Sequence, residues 1–217
     1  MANGLFGGGN GEPSTPYLVE DRADFEAIAP DPYPSKHYLQ VNDIDFGGVG
    51  DPFTPLGDAV GPCFEGVYDG GGYKISGLYI DAAGSNTVGL WKYLLSGAVF
   101  RNLVLKDVVV IGQDKVGALA GYGMGVEVSN CIVTGTVEGR NMVGLLLGTD
   151  EGVGDTIIQQ CAGVGTVKAQ DLAGGLVGDL AGVTCQINES YFAGTVECPT
   201  SNVGPIVADS SSFLWNG

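Results

Sequence analysis

One histidine, His37, stands in 217 residues, and 9 lysines and arginines face 25 acids. Imidazole catalysis would have to rest on that one residue, which sits beside Lys36 and ahead of an expected strand, the setting of a surface side chain. A formal charge of −16 leaves no basic footprint for a phosphate backbone. Nucleic acid is therefore excluded as a partner, and an anionic bilayer is equally unattractive. No stretch approaches the roughly 20 apolar residues of a spanning helix, so no membrane insertion is expected. Residues 1–21 hold neither Lys nor Arg nor a long apolar run, so no signal peptide is read there and synthesis in the cytoplasm is expected. The cysteines are Cys63, Cys131, Cys161, Cys185 and Cys198, an odd number with no C-x-x-C spacing. Neither a disulfide framework nor a zinc site is indicated, and free thiols filling the core are expected. H-E-x-x-H, the P-loop, G-x-S-x-G and the dinucleotide fingerprint are missing. Gly7 to Gly11 has no strand-to-helix context that would make it a phosphate cradle. No cofactor is expected.

What the chain does have is glycine in periodic use: 38 of them, beside 44% hydrophobic residues. Asn130-Cys131-Ile132-Val133-Thr134-Gly135-Thr136-Val137 is echoed by Gln160-Cys161-Ala162-Gly163-Val164-Gly165-Thr166-Val167. It returns, one residue shorter, as Ser190-Tyr191-Phe192-Ala193-Gly194-Thr195-Val196. A second element, G-x-L-x-G, recurs at Gly117–Gly121, Gly144–Gly148 and Gly174–Gly178, with Gly89-Leu90-Trp91 as an earlier relative. Units of this length, with short β-branched runs and no helical period, are the signature of a solenoid. No unit can bury its own apolar face; stacked units bury a continuous column. The expected strands are 103–105, 108–111, 131–133 and 157–159. Equivalent positions should stack, Cys131 on Cys161 and Gly117 on Gly144 and Gly174.

Ahead of the repeats, Asp21 to Ala29 reads as the one helix. Asp21 is a good N-cap, Phe25 and Ile28 share a face, and Pro30 stops it. It is expected to cap the first coil, whose strand edges would otherwise be open. Two alternating strands flank Asp69-Gly70-Gly71-Gly72, a turn free to take positive φ.

Pro16-Tyr17-Leu18-Val19, Tyr38 to Phe46, Phe53 to Gly57, Phe64 to Leu78 and Gly175-Leu176-Val177-Gly178, in this order, resemble the GLUG repeat family. The resemblance covers Gly11 to Gly204 and implies an all-β right-handed parallel β-helix. It carries no shared catalytic residues. Gly204-Pro205-Ile206-Val207-Ala208 departs from the motif, and Pro205 lacks a ladder N–H, so an irregular close is expected there. The domain reading is a flexible arm over 1–16 and one solenoid over 17–217. Within it, 17–99 holds the capping helix and first coils, 100–204 the repeats and 205–217 a closing coil.

Chemistry is sparse. Asp43 and Asp45 alternate to one face of a strand and are weak candidates for a metal and one candidate carboxylate pair for glycoside cleavage. Asp150, Glu151 and Asp155 form a second acidic cluster. Aromatics are scattered, with no legible sugar-stacking platform. Leu5-Phe6 either anchors the arm to another chain or folds back on its own domain. Phe213 and Trp215 either plug the column or present an apolar edge. These four are the expected docking residues. GLUG-type repeats occur in bacterial adhesins and phage structural proteins, and a phage protein needs no secretion signal. The expectation is a non-enzymatic structural or adhesive module on a virion surface: a head decoration, fibre or tail-associated receptor-contacting protein. Its partners would be other virion or surface chains, a host-surface glycan, or further copies of itself. The alternatives are a polysaccharide-degrading tailspike-type enzyme and a fragment of a bacterial cell-surface adhesin.

Overall fold

The computed structural model describes residues 6–28, 35–58, 63–151, 154–181, 185–199, 202–208 and, for the backbone alone, 213–216. The chain winds as a parallel β-solenoid with almost no helix. One circuit runs through Glu127–Ser129, Ile132–Glu138, Asn141–Gly144 and Leu147–Glu151. The next runs through Thr156–Gln159, Ala162–Lys168, Ala173–Gly174 and Val177–Ala181. Like strands of successive circuits pair, giving an eight-stranded, a seven-stranded and two four-stranded sheets. Every pairing between these strands is parallel, as coils wound in one direction require.

The repeat alignment is the hydrogen-bond register. Ile132 to Glu138 pairs residue for residue with Ala162 to Lys168, which pairs with Tyr191 to Glu197. Cys131 and Cys161 are thus stacked and buried, and all five cysteines are free. Inward positions form apolar columns such as Val128–Ile158–Ile187 and Val137–Val167. Each such side chain contributes about 1.5–3 kcal/mol by leaving water. The strands expected at 103–105 and 108–111 merge into one, Val104–Ile111. Asp107 takes φ 55° and bulges the ladder instead of ending it.

The glycines of G-x-L-x-G have a steric reason. They let the two four-stranded sheets lie back to back. A Cβ on Gly148 would fall 2.4 Å from the carbonyl carbon of Lys115 and 2.5 Å from Val116 N. No side chain fits there. Gly144 pairs with Gly174, and Gly174 with Gly204. The irregular close expected at Pro205 is a regular rung: Leu176 N and Val177 N both donate to Ile206 O. Pro205 is tolerated because it lies in the last rung of its sheet, where its missing N–H breaks no ladder bond.

The helix expected over 21–29 shrinks to α1, Arg22–Glu26, which is a correction. Asp21 does cap it, accepting from Asp24 N. After Glu26 the chain tightens, Ile28 N donating to Phe25 O; Ala29, the last residue of the expected helix, lies outside the described residues. Phe25 is fully buried among Phe46, Phe53, Tyr68 and Trp91. Arg22 ties α1 to the following turn through Asp51 and Phe46 O. The first coils have an aromatic interior and the later ones an aliphatic one.

Residues 6–16, read above as part of a flexible arm, lie against the first strand. Gly7 N donates to Leu18 O and Leu18 N to Gly8 O. Phe6 is 6% exposed and stacks on Tyr17 at 4.7 Å. Of the two readings of this segment, Phe6 takes the fold-back one; Leu5 lies outside the described residues. Phe213–Asn216 pairs in register with Cys185–Asn188, and the side chains of Phe213 and Trp215 lie outside the described set.

Candidate functional site

The acids singled out by sequence do not assemble into a site. Asp43 accepts from Lys74 N at 3.1 Å and pairs with Lys74 Nζ at 3.1 Å, and these contacts hold its carboxyl below its usual range. Asp45 accepts from Gly47 N at 3.0 Å, closing a turn. Among the described residues no group of three His, Cys, Asp or Glu side chains could hold a metal. Asp150 and Glu151 are adjacent on a strand and so face opposite ways. Asp150 is fully buried, accepting from Thr156 Oγ1 at 2.6 Å and from Gly125 N at 3.3 Å, and burial raises its pKa. Glu151 pairs outside with Lys115 at 2.9 Å. Asp155 is exposed.

A different place has the makings of a site. A half-open cleft of about 440 Å³ lies on the flank of the column, lined by Thr54, Pro55, Asp58, Ser85, Asn86, Thr87, Lys92 and Tyr93 among others. Its walls are pinned by backbone. On one side, residues 54–58 run beside Trp91–Tyr93, with Leu56 N donating to Leu90 O and Lys92 N to Leu56 O. On the other, Ser85 N donates to Ala82 O, Ser85 O accepts from Gln113 N of the next coil, and Thr87 N donates to Asp114 O. Thr87 holds φ 62°, unusual for a β-branched residue, and its Oγ1 accepts from Tyr93 OH at 3.3 Å. Tyr93 leads onto Tyr122, ring centres 5.6 Å apart, over which Lys115 Nζ sits at 4.9 Å.

Within these walls the side chains are uncommitted. Thr54, Ser85, Asn86 and Lys92 make no side-chain hydrogen bond or ion pair among the described residues. The lysine stands out. Of 9 lysines and arginines, seven form ion pairs. Lys168 lies in register between Glu138 and Glu197. Another flank cleft, along Gln113, Glu138, Arg140 and Gln170, has its arginine occupied by Asp114.

Sequence reasoning missed this cleft, though a signal was there. Trp91 pairs with Ala120 and Tyr93 with Tyr122, so Lys92 stands where the next coil has Gly121. It breaks a glycine column that continues through Gly148 and Gly178 and ends at Ala208. Where the later coils bring backbone against backbone, this coil carries a lysine, and the cleft lies beside it.

Fold and cleft together define a β-solenoid module with a lateral cleft. Over 97% of the chain the structure superposes, with a TM-score of 0.68 and 20% identity, on 76% of a crystal structure from Bacteroides ovatus described as "a putative immunoglobulin A1 protease". At that identity the likeness concerns the fold. In sequence, the chain is 35% identical over 147 residues to halomucin of Haloquadratum walsbyi, a match covering 64% of this chain. It is 34% identical over 129 residues, 56% of this chain, to a "Putative Gly-rich membrane protein" of Evansella cellulosilytica. The matches span only 2% and 15% of those two proteins. No family model matches the chain. Among the described residues no helix is long and apolar enough to cross a membrane, which leaves membrane-crossing strands unaddressed.

Proposed function

We propose that this chain is a non-enzymatic structural and adhesive module displayed on a surface. The observation that carries the reading is its use as a unit: a parallel column resembling a small part of two much longer proteins, one bearing a mucin name and the other named a membrane protein. A solenoid suits that role because stability comes from neighbour-on-neighbour stacking, leaving the flanks free for contact. The separation of the candidate carboxylates, with Asp150 inside and Glu151 ion-paired, supports a non-catalytic role. The column is read as right-handed, the hand of nearly all parallel crossovers, with α1 closing its first circuit.

The narrower assignment to a phage virion draws no support from these relatives and becomes one outcome of the test. Antibody raised against residues 100–204 should label intact source cells without permeabilisation, and the protein should be found in their envelope fraction. Labelling confined to permeabilised cells would overturn the surface reading. Recovery of the chain in purified particles would restore the virion one. Release of reducing sugar ends from polysaccharide by the purified protein would replace the module with an enzyme.

A further inference from the structure

We propose that the flank cleft between residues 54–58 and 82–88 binds an uncharged sugar residue, with Tyr93 as its apolar wall and Lys92, Asn86, Ser85 and Thr54 as its polar contacts. The proposal rests on the surface-module reading and gives it a ligand class.

Three observations lead there. The first is the break in the glycine column. The glycines at 121, 148 and 178 are excluded from carrying side chains by backbone contacts as short as 2.4 to 2.5 Å. Among the described residues, the coil containing Lys92 is the only one with a long polar side chain at that register, and the cleft is beside it. The second is the contrast between wall and lining. The backbone of both walls is hydrogen-bonded to the adjoining coils, while the side chains of Thr54, Ser85, Asn86 and Lys92 make no hydrogen bond or ion pair among the described residues. Polar groups held on rigid walls are pre-organised, so little ordering cost remains for binding. The third is the chemistry of the lining. A hydroxyl both donates and accepts; Ser85, Thr54 and Asn86 can do either, Lys92 only donates and the carboxylate of Asp58 at the rim only accepts. Such a mixture matches neighbouring hydroxyls on a pyranose ring. The C–H face of that ring suits the aromatic wall of Tyr93.

Charge decides between sugar classes. An acidic sugar would find one cation, Lys92, but also Asp58 and the field of a chain carrying −16. An uncharged one meets no such repulsion. The volume of about 440 Å³ is within the range of small-ligand sites and takes one or two sugar rings.

The test uses the full chain and two fluorescently labelled probe sets of matched length: neutral hexose oligosaccharides and uronate oligosaccharides. Fluorescence polarisation should show saturable binding of a neutral probe in the micromolar to millimolar range. Lys92→Ala and Asn86→Ala should each weaken it about tenfold, as loss of a hydrogen bond does, with unchanged melting curves. Ser85→Ala is a further variant if one of these melts early. Absence of binding at ~10 mM neutral probe would overturn the proposal, as would tighter binding of the uronates. Binding insensitive to all three substitutions would move the ligand off this cleft and leave the surface-module reading intact. Failure of the surface labelling with cleft binding preserved would sink that reading alone.

Discussion

At the scale of single residues, the most consequential side chain is a carboxylate in the wrong place for one. Asp150 pairs in register with Leu180 on one side and Gly123 on the other, so it occupies a core position. Two donors, Thr156 Oγ1 and Gly125 N, reach it, yet burial dominates and lifts its pKa. A raised folded pKa means the folded protein holds this proton more tightly than the unfolded chain. The stabilisation is complete below the unfolded value, about 4, and is lost as pH rises through the folded one. Asp150→Asn should therefore gain melting temperature relative to the parent as pH increases from about 4 to 8. Comparing the two proteins cancels the opposite trend of ion-paired carboxylates such as Asp43. A difference that stays constant over that range would show that Asp150 titrates normally. Gln40, equally buried, shows the neutral solution: it donates to Asn42 O and Lys74 O and accepts from Tyr68 OH.

At the scale of elements, two devices hold the column. α1 is too short to be stable by itself, and its anchor is Phe25, with four aromatic neighbours. Phe25→Ala should cost about 3–5 kcal/mol in denaturant titration. A loss below about 1 kcal/mol would mean that α1 is not closing the first circuit. The other device is the glycine layer. Gly148→Ala places a methyl into the backbone of Lys115 and Val116, and should cost at least about 2 kcal/mol. Gly50→Ala, with nothing within 4 Å of its added Cβ, is the control and should be nearly neutral. Equal effects at the two positions would refute the close-packing explanation of G-x-L-x-G.

At the scale of the whole molecule, the net charge of −16 is spread along a column rather than around a ball. Several of its ion pairs are exposed on both sides, such as Lys74–Asp43 and Lys106–Asp107, and such pairs are worth little. Self-repulsion should outweigh them, so raising NaCl from roughly 20 to 500 mM should raise the melting temperature. A fall would show that the ion pairs matter more. The sequence by itself determined the winding. A repeat read at Cys131 and Cys161, or at Gly144 and Gly174, is a statement about register, because identical residues one coil apart have to meet when coils stack. It determined the N-cap at Asp21 for a similar reason, since that interaction is local. It could not set the length of α1, where a proline four residues past Glu26 and the packing of Phe25 compete. Nor could it tell that Phe6 would turn inward, because the ring of Tyr17 that receives it belongs to another segment. The cleft was decided by tertiary structure alone. Thr54, Asn86 and Lys92 come from three separate stretches, and a lysine in place of a glycine becomes a site only once the neighbouring coils show what that glycine was for.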